Sequence, residues 1–159
     1  MPDQLKWDRH FITLALENAR MSKDPATQAG AIIVGPDREV RSMGYNGLPR
    51  GIADTPERLE NKELKRSLVV HAEMNAILNA ARIGVSTRGC VLYLALTDES
   101  GEVWGGPPCA RCTVEIIQAG ITEIVAKPFK MKTSYWKDSV EQARSLLEEA
   151  EIHYREIAS

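Results

Sequence analysis

At 159 residues, with 43% hydrophobic and 26% charged side chains and a formal net charge of −2, the chain has the balance of one soluble globular domain, expected to span residues 1–159. That balance excludes a disordered or fibrous protein, and no apolar run approaches the roughly 20 residues that a membrane span needs. Basic residues are scattered, so no long nucleic acid is expected as a partner. The densest positive stretch, "KELKR" at 62–66, reads as a solvated turn or helix end. The opening "MPDQLKWDRHF" has no apolar signal core, which makes a cytoplasmic location the expectation. Three cysteines, an odd number, argue against a disulfide framework and leave metal or redox chemistry for any close pair.

Along the chain, Trp7, Phe11, Leu14, Ala15 and Ala19 recur at steps of three and four, predicting a helix over residues 4–21. "SKDPATQAG" breaks it with Pro25 and Gly30. "AIIVG" at 31–35 is a β-branched run and hence a strand. "GPDRE" turns it into a second strand, "VRSMGYN" at 40–46. A polar loop is expected from Gly47 to about Lys65, then a helix over 71–82 and a buried strand, "GCVLYLAL", at 89–96.

"TDESGEVWGG" at 97–106 reads as an exposed excursion with Trp104 as its one large apolar anchor, where a core residue is not expected. A third helix runs from Cys109 to Ala119, stopped by Gly120. "ITEIVAK" is a strand, "SVEQARSLLEEAEI" an amphipathic helix, and "IHYREI" a closing strand. The order implies an α/β fold: a mixed sheet covered by helices on both faces.

Two short motifs carry chemistry. Cys109 and Cys112 form a C-x-x-C pair at the start of a helix, open to metal or redox use. Helix N-termini favour thiolate, and His71, at the start of another helix, offers a nitrogen ligand. Two sulfurs, one imidazole and a vacant fourth position describe a catalytic zinc site, which lowers the pKa of a bound water from about 16 towards 7. Glu73, two residues beyond His71, is then placed to carry protons. The redox reading leaves His71 and Glu73 idle, and no βαβ context is evident for it. Read blandly, His71 and Glu73 are only a polar first turn. H-x-E followed by P-C-x-x-C is the signature of zinc deaminases. Cys90 reads as a small core residue.

With these motifs in place the chain resembles the cytidine and deoxycytidylate deaminase superfamily, and most of all its deoxycytidylate (dCMP) branch. "VVHAEMNAIL" and "PPCARCTVEIIQAGITEIV" are similar to its two zinc motifs, "SKDPATQAGAIIV" to the segment before its first strand, and "GYNGLPRG" to its substrate and effector loop. The resemblance implies a cytidine deaminase-like α/β/α sandwich. It implies one Zn2+ per chain, a small nucleotide substrate, deoxynucleoside triphosphate effectors and a homo-oligomer. The implied reaction is hydrolysis of dCMP to dUMP and ammonia, which feeds thymidylate synthesis. It also implies that Asn46 holds the nucleotide and that Ala72 lines the base pocket through its backbone, with Ser22, Lys23, Thr27 and Tyr135 near the pocket.

Three departures from the family's pattern stand out. Lys23 stands where arginine is frequent, Met21 and "GIADTPER" offer no ligands for a second zinc, and the 97–106 excursion lengthens the path to the second motif. Deamination of another nucleobase, nucleoside, modified cytosine or transfer-RNA adenosine is the alternative activity. A non-catalytic zinc scaffold is the alternative outside enzymology.

Overall fold

A computed structural model describes residues 2–158. Six strands, β1 (Gln28–Val34), β2 (Val40–Tyr45), β3 (Val91–Thr97), β4 (Val103–Trp104), β5 (Glu123–Ala126) and β6 (His153–Glu156), form one mixed sheet. Its order is β2-β1-β3-β5-β6, with the two-residue β4 added beside the end of β3. β1 runs antiparallel to both of its neighbours, so β2, β3, β5 and β6 all point the same way. The described residues also form the α-helices α1 (Pro2–Ala19), α2 (Pro56–Glu60), α3 (Lys62–Leu68), α4 (Ala72–Ile83), α5 (Ala110–Gln118) and α6 (Lys137–Glu149), of which α1, α4, α5 and α6 pack on the sheet.

Helix α1 takes one face, where Phe11, Ile12 and Ala15 pack with Ile32, Val34, Tyr93 and Val125. On the other face Ala72 and Ala76 of α4, Ile116 of α5 and Leu147 of α6 pack with Ala31, Ile33, Leu92 and Ile124. Alternate residues of β1 thus serve opposite cores, as the two-residue period of a strand requires. The mixed sheet covered on both faces is the architecture that the sequence predicts. The closing strand is present as β6.

One polar tie crosses the α1 layer. Asp8, 1% exposed, accepts two hydrogen bonds from the Arg155 guanidinium on β6 (2.5 and 2.9 Å) and one each from Tyr93 (2.8 Å) and Gln4 (2.9 Å).

Two expectations are corrected. The segment from Gly47 to Lys65 is not all loop, because α2 and α3 lie within and beyond it. Both are short and charged and bury no residue, so no apolar period marks them, although Pro56 at the start of α2 and the Asn61 cap on Leu64 (3.0 Å) are readable helix starts. Trp104 is a second correction. It is only 6% exposed, because β4 pairs with Leu96 and Thr97 and brings the ring back into the molecule.

Helix α4 is stitched to the edge strand β2. Ser42 Oγ donates to the Ala76 carbonyl (2.5 Å), and Asn75 and Asn79 donate to the outward carbonyls of Tyr45 and Met43, each at 2.7 Å. Gly44 sits under the helix: a Cβ there would meet Ala72 O and Ala76 N, each at 2.4 Å. Both are backbone atoms that cannot swing aside. Gly44→Ala should therefore cost roughly 1–3 kcal/mol of stability by overpacking and displace residues 71–73. A urea midpoint equal to the wild-type value would refute this reading of the contact.

Candidate active site

The parallel strands set the position of the site. α4 lies on the path from β2 to β3, and α5 on the path from β3 to β5, so both helices begin at the carboxyl edge of the sheet. Open α/β sheets place their ligand sites at that edge. His71 is the N-cap of α4 and Cys109 the N-cap of α5, both in extended backbone conformation. The His71 side chain makes no cap bond and turns instead to the two thiols. Its Nδ1 lies 3.5 Å from Cys109 Sγ and 3.3 Å from Cys112 Sγ. All three ligand atoms lie within 4.8 Å of one another, a group that could hold one metal ion. The β3–α5–β5 path is a parallel βαβ unit, so the βαβ context that the sequence did not reveal is present around the cysteines. His71 against both sulfurs nevertheless favours metal over redox use.

The electrostatics follow from crowding. Contact with Cys112, and then with His71, holds the Cys109 thiol far below its ordinary range, despite burial. The same sulfur contact and burial push Cys112 up. The hydrogen bond to Cys109 raises His71 to about 9. Ligands must be deprotonated to bind, so metal uptake here releases protons. Burial raises the carboxyl of Glu73, in the first turn of α4, and the His71 charge offsets only part of that.

A cavity of about 370 Å³ opens over this group. His71, Ala72, Glu73 and Cys109 line its floor, together with Thr27 and Asn46. Leu96, Trp104, Phe129 and Trp136 supply apolar wall, and Lys62, Lys65, Arg66, Lys130 and Lys132 supply positive charge.

The remaining sequence candidates divide. Asn46 is pinned to the chain entering β1: its Oδ1 accepts from Ala29 N (2.8 Å) and its Nδ2 donates to Thr27 O (2.9 Å), leaving one amide hydrogen. Ser22 Oγ donates to the Asn46 carbonyl (2.7 Å) and supports the loop from behind. Lys23 is not in the wall. It is exposed and bonds Asp54 Oδ2 at 2.9 Å. Tyr135 is not in the wall either and lies under Arg66, 3.6 Å from the guanidinium carbon to the ring centroid. "KELKR", read as a solvated turn or helix end, lies largely exposed on α3 and also supplies three of the wall cations; its i, i+4 spacing over a helix was the available signal.

The model of the cytidine and deoxycytidylate deaminase zinc-binding region matches residues 5–127. The chain belongs to the cytidine and deoxycytidylate deaminase family. It is similar to human deoxycytidylate deaminase, 37% identical over 158 residues, which cover 96% of this chain and 80% of that one. It is 30% identical over 156 residues to a probable deoxycytidylate deaminase of Caenorhabditis elegans, covering 96% and 71% of the two. Among solved structures, the dCMP deaminase of cyanophage S-TIM5 in complex with dCMP and dUMP shares the fold, with a TM-score of 0.72, 20% identity and 99% of each chain covered.

Zinc is the deaminase's cofactor, and the donor set fits it: two sulfurs and one imidazole nitrogen leave a fourth tetrahedral position for chemistry. Purified protein should carry one zinc ion per chain, since this is the one such group among the described residues. Cys109→Ser should lose the ion and melt at lower temperature, because metal binding is coupled to folding. Elemental analysis with a thermal melt checks both. Two tightly held ions, or full zinc in the variant, would contradict the assignment.

Proposed function

We propose that the chain hydrolyses dCMP to dUMP and ammonia, with His71, Cys109 and Cys112 holding zinc and Glu73 carrying protons. The observation that carries this reading is Glu73: a buried carboxyl with a raised pKa, on the floor of a cavity that also contains His71 and Cys109. A structural zinc site has no use for such a group. When bound, zinc supplies Lewis acidity that makes a water nucleophilic near neutral pH.

The residues supply the rest. The oxygen of one water becomes the 4-carbonyl of the product, and the bond from ring carbon to amino nitrogen breaks. Glu73 takes one proton from the attacking water and passes it to the ring nitrogen, then takes the second from the hydroxyl added to the ring carbon and passes it to the departing amine. A carboxyl raised by burial suits both directions, because its affinity for the proton lies nearer the working pH. Ala72 and Asn46 line the cavity where a base would lie, and the wall cations favour an anionic substrate over a neutral nucleoside. The naming of the relatives as deoxycytidylate deaminases supports the same choice.

Assembly, effectors and location belong to the same proposal. Edge strand β2 exposes Met43, and α4 exposes Leu78 and Ile83, apolar side chains that contact with a second copy would cover. No helix among the described residues is long and apolar enough to cross a membrane, and a cytoplasmic location is part of the proposal. Adding deoxynucleoside triphosphates to the dCMP assay tests regulation: a changed rate is expected, and an unchanged one removes the effector claim.

Glu73→Gln should keep fold and zinc while turnover of dCMP falls about 10²–10⁴-fold, the usual worth of general acid–base catalysis. Ammonia release measured over a panel of bases, nucleosides and nucleotides reads both claims. Near-normal turnover in the zinc-loaded variant would assign the protons to another group. Sedimentation velocity should find an assembly larger than one chain that Ile83→Glu weakens. A monomer at every concentration would remove the oligomer.

A further inference from the structure

We infer that Lys62 and Arg66, one turn apart on α3, are the residues that select the 5′-phosphate, and that Tyr135 positions Arg66 for it. The inference rests on the monophosphate reading above and names the side chains that would make it true.

Five cations line the cavity, and most of them are already engaged. Lys65 Nζ lies 3.2 Å from Asp24 Oδ1, and that oxygen also accepts from Ala26 N (2.8 Å) and Thr27 N (3.2 Å), so the lysine is fastened to the chain leading into β1. Lys130 and Lys132 both pair with Glu102, and Lys132 reaches Asp98 at 3.4 Å while lying 4.3 Å over the Trp104 ring. A phosphate could recruit these lysines only by displacing carboxylates.

Lys62 and Arg66 differ. Among the described residues neither has a carboxylate partner, and their i, i+4 spacing puts both on one face of the helix, above the cavity. The guanidinium of Arg66 rests on the face of Tyr135, whose ring meets Trp136 edge-on at 4.7 Å, and Trp136 in turn meets His71 at 6.2 Å. An aromatic pair therefore sets the rim cation at a fixed place relative to the metal ligand. Stacking leaves the edge of the guanidinium free for two parallel hydrogen bonds to phosphate oxygens, and Lys62 adds a point charge. Lys23, tied to Asp54 outside the wall, takes no part.

The ratio of kcat/KM for dCMP to that for deoxycytidine tests this. Lys62→Ala and Arg66→Ala should each lower the ratio about 10- to 100-fold, the worth of charge-assisted hydrogen bonds to an anion. Arg66→Lys should restore only part of it. Tyr135→Ala should lower the ratio through KM, Tyr135→Phe should restore it, and Lys23→Ala should leave it unchanged. Both α3 residues are exposed, and thermal melts on each variant confirm that the fold is intact.

The two failures are separable. Wild-type protein that does not deaminate dCMP overturns the proposed function. Calorimetry then still reads the subsite, by comparing the affinity of dUMP with that of deoxyuridine for the wild-type, Lys62→Ala and Arg66→Ala proteins. Wild-type protein that prefers dCMP while these variants keep the preference overturns the subsite alone. A ratio that collapses instead in Lys130→Ala or Lys132→Ala does the same.

Discussion

The first turn of α4 lies closer to β2 than any side chain would allow, and the site is assembled from that contact. Gly44 leaves the space, Ser42 grips the Ala76 carbonyl, and Asn75 and Asn79 close the open edge of the strand. These bonds fix the helix in translation and rotation together. His71 at its cap and Glu73 in its first turn are consequently placed by backbone packing rather than by their own side chains. From the other side, the β3–α5–β5 unit brings Cys109 and Cys112 to the same edge. A candidate metal site drawn from two helix N-termini is only as firm as the helices, and here both rest on one buried sheet.

Two buried carboxyls show what the fold spends its polar groups on. Burial pushes Asp8 up, but Arg155, Gln4 and Tyr93 together outweigh it and hold the group ionised below its usual range. That carboxylate ties α1 to β6 and is chemically quiet. For Glu73 burial dominates, and the His71 charge opposes it only in part. The difference lies in donors: three side chains converge on Asp8, whereas Glu73 faces a cavity. A carboxyl in a pocket whose burial outweighs its hydrogen bonds and neighbouring charge costs stability and gains a usable proton affinity.

Much of this was legible in the sequence. The period of Trp7, Phe11, Ala15 and Ala19 marked α1, and the β-branched run at 31–35 marked β1, although the strand begins earlier, at Gln28. The spacing of His71, Glu73, Cys109 and Cys112 was legible because metal chemistry needs particular atoms, and few other residue types supply them. The cavity wall was not. Lys62, Arg66, Trp136 and Phe129 are ordinary surface or core types whose meeting depends on how loops after β2 and β5 fold back over one sheet edge. Lys23 misled because a lysine beside a glycine-rich loop suits a phosphate, while its actual partner, Asp54, is 31 residues away. Trp104 misled in the opposite direction, since a two-residue strand leaves no periodic trace.

The acidic stretch at 98–102 acquires a physical role once the wall charges are counted. A rim of five free cations would attract polyphosphates and nucleic acid phosphates as readily as a single phosphate, because the attraction grows with the number of cations engaged. Glu102 and Asp98 neutralise Lys130 and Lys132, and Asp24 neutralises Lys65. What remains is the pair on α3, two positive charges facing a substrate phosphate of charge about −2 at neutral pH. On the phosphate assignment argued above, the internal carboxylates sharpen selection by removing competing sites. They act on specificity, and the catalytic groups below them are left to the chemistry.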